Sequence, residues 1–190
     1  MIAATVAGQA VSVSEVDARE QALRSSAQAS ALPRPGTSEG RQLRRWLTQV
    51  LVTEKVVARE AVALGVGAAD APAESEVLPD LTARLEIGSI AAGVLADPLA
   101  RAVYARVTAG VDVDPDAVAD YHHRNPHRFI RDRDATLAEV GPRIHELLRG
   151  AARRRAFRLW LDQRRADLVR LAPGYEHPGD PRQPDNVHRH

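Results

Sequence analysis

The stretch LRRWLTQVLVTEKVVAREAVALGV, residues 43–66, decides the fold class. From Arg41 to Leu64 its apolar side chains fall at Leu43, Trp46, Leu47, Val50, Leu51, Val57, Ala61 and Leu64. That is the three-and-four spacing of a helix with one buried face. Gly65 stands where a glycine past the last turn would end it. A helix this long needs other helices to cover its face, so the chain reads as mainly α.

Working outward, "IAATVAGQAVSV" at 2–13 alternates small and apolar residues around Gly8-Gln9. This predicts a short strand, a turn and a second extended piece. Ser14 is the expected N-cap of a first helix over about 15–30, answered by Asp17 three residues on. "LPRPGTSEG" at 32–40 is a loop, and 66–79, rich in Ala, Pro and acid, is expected to be a linker. A helix is predicted over about 80–95 with Leu81, Leu85, Ile90, Val94 and Leu95 as its apolar set. Asp97-Pro98 and Asp114-Pro115 each place a cap before a proline at the first helical position, so two further helices start there. The last helix spans about 137–167, with Gly150 as its weak point, and "LVRL" at 168–171 is assigned to a strand. A lone N-terminal strand would leave its backbone groups unpaired, so the two terminal strands should pair with each other. Residues 1–172 form the expected domain, and 173–190 an irregular tail rich in His, Pro and Gly.

Composition narrows the function. The 190 residues carry 26 basic and 25 acidic side chains, a net charge of +1, and no Cys. Near-neutrality argues against a general nucleic-acid or membrane-surface binder. The absence of Cys excludes thiolate metal sites and cysteine nucleophiles. No apolar run reaches the roughly 18 residues of a membrane span. The opening lacks a basic segment followed by a long apolar one, so no signal peptide is expected and the location is read as cytoplasmic. There is no G-x-S-x-G, P-loop, G-x-G-x-x-G or H-E-x-x-H, and "HEL" at 145–147 lacks the second histidine.

The order of the segments resembles a known family. "VAGQAVSVSEVDAREQALR" is similar to the opening of SurA-type chaperones and PrsA-like foldases, and residues 43–66 resemble their next long helix. "VDPDAVADYHHRNPHRF" resembles the lead into their parvulin prolyl-isomerase domain, and residues 137–171 the helix and strand after it. Between these the family places about one domain's worth of chain. Here only "IRDRDATLAEV" intervenes, so isomerase activity is not carried over. The resemblance implies a SurA N-domain-like helical domain and a non-catalytic, chaperone-like protein. Its apolar helical groove, lined by Trp46, Val50 and Trp160, would take a peptide or protein partner.

A second reading comes from the histidines. His188 and His190 form H-x-H, His177 lies upstream, and Glu176 and Asp185 offer oxygens. Folded over the helical core, with His123 or His127 added, they could hold one Cu or Zn ion, with no organic cofactor. With an open coordination position the metal would act as a Lewis acid on a small-molecule substrate. The plainer reading is a solvated tail, with the histidines at 122, 123 and 127 meeting a helix C-terminus. "RRRAFRLWLDQRRADLVR" carries seven Arg against two Asp and reads as a solvated outer face rather than a nucleic-acid surface, with Phe157 and Trp160 turned to the core.

Overall fold

A computed structural model describes residues 1–125 and 136–180. The chain opens with β1 (Ile2–Val6) and β2 (Gln9–Ser12), joined by a turn at Ala7-Gly8, one residue earlier than expected. Both turn residues have positive φ, 48° and 85°, as a tight hairpin requires. α1 (Val13–Arg24) follows without a linker. Its N-cap is Ser12, not Ser14: Ser12 Oγ accepts the Glu15 N–H at 3.2 Å, and Glu15 Oε2 accepts the Ser12 N–H at 2.7 Å. The strand runs into the helix, so the cap falls on the last strand residue. The helix ends at Arg24, short of the expected residue 30, and a 3-10 turn occupies Ala29–Ala31.

α2 (Ser38–Leu64) is the central rod. Thr37 caps its start and Gly65, at φ 64°, ends it as expected. Residues 66–79 differ from the expected linker. They hold a 3-10 turn (Ala68–Asp70) and α3 (Glu74–Val77), and Val77 and Leu78 are 2% and 3% exposed. The predicted helix 80–95 is two helices, α4 (Leu81–Ile87) and α5 (Ser89–Val94). Gly88 separates them at φ 90°, ψ 151°, a conformation open essentially to glycine alone. α6 (Pro98–Val107) and α7 (Pro115–Arg124) start at the expected Asp-Pro pairs. Asp97 and Asp114 accept backbone N–H groups from Leu99 and Asp116. α8 (Leu137–Leu168) runs straight into β3 (Val169–Leu171).

The strands form one antiparallel sheet in the order β2-β1-β3. Val6 pairs with Gln9 on one side and with Val169 on the other. The terminal strands therefore pair directly, and Ala7 N–H donates to Leu168 O at 2.8 Å where α8 ends. The main core gathers Val6 and Val11 of the sheet, Val52 and Val56 of α2, Leu95, Val103 and Tyr104, and Phe157 and Leu161 of α8. Phe157 is fully buried, edge-on to Tyr104 at 5.3 Å and stacked on Trp160 at 5.6 Å. Two smaller clusters lie between α7 and α8 (Val118, Val140, Ile144) and between the sheet, α1 and α2 (Ala3, Val16, Leu47). Among the described residues no helix is long and apolar enough to cross a membrane.

Candidate functional site

The groove expected along Trp46, Val50 and Trp160 is not open. Val50 is 4% exposed and belongs to the main core, and both tryptophans are half-buried against it. The reason is α5. Its Gly93 passes so near α2 that a Cβ there would meet Trp46 at 3.5 Å and Val50 at 3.9 Å. Trp46 Nε1 donates to Ser89 Oγ at 3.2 Å, which pins the start of α5 over the ring.

The arginines of α8 are not all on a solvated face either. Arg154 has only 8% of its side chain exposed and reaches Glu86 at 3.0 Å. Arg153 donates to Thr108 Oγ1 at 2.9 Å, with its guanidinium carbon 5.1 Å from the Tyr104 ring centre. Arg164 pairs with Glu60 at 3.3 Å. Arg165 enters the molecule and donates to Thr53 Oγ1 at 2.6 Å and to Gln49 Oε1. Burial pulls the Arg165 pKa below the ordinary arginine value, opposed by the charge of Asp162. Gln49 in turn donates to Tyr175 O at 2.8 Å, and Arg45 donates to Gly174 O at 3.3 Å. Polar side chains of α2 thus tie down the segment that follows β3, and Tyr175 packs on the third cluster.

That segment brings His177 to a cleft of about 410 Å³. Its apolar lining is Ile87, Ile90, Ala91 and Leu161, and its polar lining is Ser89, Arg158, Asp162, Arg165 and His177. It lies at the Gly88 break, lined by the end of α4, the start of α5 and one face of α8. His177 Nδ1 accepts the Gly179 N–H at 3.0 Å. Burial, reinforced by Arg165, holds the imidazole below its ordinary pKa. A neutral ring whose Nδ1 accepts carries its proton on Nε2, so His177 offers a donor rather than a lone pair to a ligand. A Cu or Zn ion on Nε2 would shift the ring proton to Nδ1 and break the bond from Gly179 N–H, so this arrangement disfavours His177 as a metal ligand.

The other expected ligands do not join it. His123 is exposed in the last turn of α7, beside His122, where the helix carbonyls favour positive charge. His127, His188, His190 and Asp185 lie outside the described residues. Among the described residues no three His, Asp or Glu side chains are grouped to hold a metal. His145 meets Asp112 at 2.9 Å on the surface.

One surface feature escapes the sequence reading. Leu81 and Leu85 were expected to face the core with Ile90, yet they are 70% and 73% exposed. α4 buries Ala83 and Ile87 instead, one turn apart on its other side. The two leucines, also one turn apart, form an apolar ridge in water. The signal that could have found it is Gly88: once the helix stops there, the phase set by Ile90 and Val94 no longer applies to Leu81 and Leu85.

Residues 2–39 are similar to a family of unknown function (DUF7158). The match covers β1, β2, α1 and the loop up to the start of α2. No curated protein and no solved structure matches the chain.

Proposed function

We propose that the protein is a chaperone-like, partner-binding protein on a SurA N-domain plan, without prolyl-isomerase activity. In this reading it holds an apolar segment of another protein on α4. The exposed ridge of Leu81 and Leu85 carries the reading, because two leucines side by side in water lower the free energy of any apolar surface laid on them. The setting adds a charge preference. In residues 66–88 Glu86 is paired with Arg154 and Glu74 with Arg84, which leaves the charges of Asp70, Glu76 and Asp80. The favoured occupant is therefore an apolar segment with basic flanks. The direct pairing of β1 with β3 supports the same plan, since the domain closes on itself without an isomerase insert.

Light scattering from a model protein diluted out of denaturant tests this. Stoichiometric wild-type protein is expected to suppress its aggregation. The double variant Leu81→Ser, Leu85→Ser is expected to lose that effect while keeping its helical circular dichroism. No suppression by the wild type at stoichiometric amounts would remove the proposal.

A further inference from the structure

The cleft at Gly88 holds charges that the fold leaves only partly answered. Arg165 is hydrogen-bonded to two neutral side chains, Thr53 and Gln49. Among the described residues no carboxylate lies within ion-pair distance of it, and Asp162 acts on it only through space. Arg158, at the rim, makes one long hydrogen bond, 3.5 Å, to Glu86 O. Asp162 sits one turn along α8 from Arg158, and no ion pair joins the two. His177 adds an N–H without adding charge. Within the lining, two guanidinium groups and one carboxylate leave a net charge of +1, while Asp180 acts on His177 from outside the lining.

We propose that this cleft binds a small monocarboxylate with a short apolar tail, its carboxylate held by Arg158 and the Nε2–H of His177. Charge and lining argue the class. One negative charge neutralises the cleft, whereas a second would face Asp162 without a partner. Arginine presents the planar fork that a carboxylate accepts, and a neutral N–H beside it fixes orientation. Ile87 and Leu161, both buried, floor the cleft and would accept the tail. The volume lies within the range of natural small-molecule sites. This inference stands apart from partner binding, because it uses neither Leu81 nor Leu85.

The structure supplies its own reporter. Ser89 lines the cleft and accepts from the Trp46 indole, so an occupant should move the Trp46 indole N–H resonance. The full chain is titrated with hexanoate, with Trp160→Phe used to assign the indole signals. A saturable shift is expected with hexanoate, and none with hexylammonium or inorganic phosphate. Arg158→Gln should weaken binding at least about tenfold, the effect of losing a charged hydrogen bond. Asp162→Asn should tighten it. Arg158 and Asp162 are exposed, so an unchanged spectrum outside the cleft will show that these variants fold. Leu81→Ser, Leu85→Ser should bind hexanoate as the wild type does, whatever becomes of its partner binding. The proposal is overturned if hexanoate gives no saturating shift, if phosphate binds as tightly, or if Arg158→Gln binds hexanoate unchanged.

Discussion

Glu15 is held from two directions. Lys55, the chain's one lysine, reaches its Oε1 at 2.8 Å, and the Ser12 backbone N–H and hydroxyl both reach its Oε2. The Lys55 contact first, and the Ser12 bonds next, bring its pKa from the ordinary 4.5 down to about 2. A carboxyl whose folded pKa lies below its unfolded one adds stability above the unfolded value. That stability fades as pH falls from about 4.5 through about 2. Glu15→Gln should therefore flatten this part of the curve of melting temperature against pH. At neutral pH, with the side chain well exposed, the loss should be only about 0.5 kcal/mol. A variant whose acid limb stays as steep as the wild type's would show that Glu15 does not carry it. The cap was half legible. Ser12 and Ser14 each have an acid three residues on, so local chemistry fits either. The choice falls to Ser12 because β2 pairs as far as Ser12 opposite Ile2, which only the folded sheet reveals.

The elements with strong local punctuation were legible in advance. α2 has its glycine stop, α6 and α7 have Asp-Pro starts, and β3 follows from the need of β1 for a partner. α4 and α5 were not, because a single Gly inside an apolar periodic run reads as a tolerated weak point, as Gly150 is in α8. At Gly88 the chain instead takes up a conformation that a Cβ opposes. Gly88→Ala should lower stability by about 1–3 kcal/mol, read as a lower urea midpoint at unchanged slope. An unshifted midpoint would mean that the break between α4 and α5 does not need glycine. The inward arginines of α8 were illegible for another reason. Arg154, Arg153 and Arg165 find Glu86, Thr108 and Gln49, partners from three distant elements that no helical period can point to. The cleft shares this origin: Asp162 and His177 line it together because Gln49, Arg45 and the packing of Tyr175 hold the segment after β3 in place.

At the scale of the molecule, the sheet and the aromatic core are parts of one apolar body, since Val6 and Phe157 share a cluster. Cooperativity then requires that the N-terminal hairpin not open without the core. The Ala7 amide, bonded to Leu168, should exchange with solvent only through global unfolding. Phe157→Ala should cost about 3–5 kcal/mol in denaturant unfolding. The exchange free energy of the Ala7 amide should fall by the same amount, measured by native-state hydrogen exchange. An Ala7 amide indifferent to that substitution would show that the sheet opens by itself. The direct pairing of β1 with β3 also constrains the order of assembly in the cell. β1 leaves the ribosome long before β3, the strand that completes its edge. Until then a growing chain presents β1 with one side of its backbone unanswered, open to pairing with a neighbouring nascent chain. Slow elongation or crowded polysomes should therefore favour misassembly through this strand.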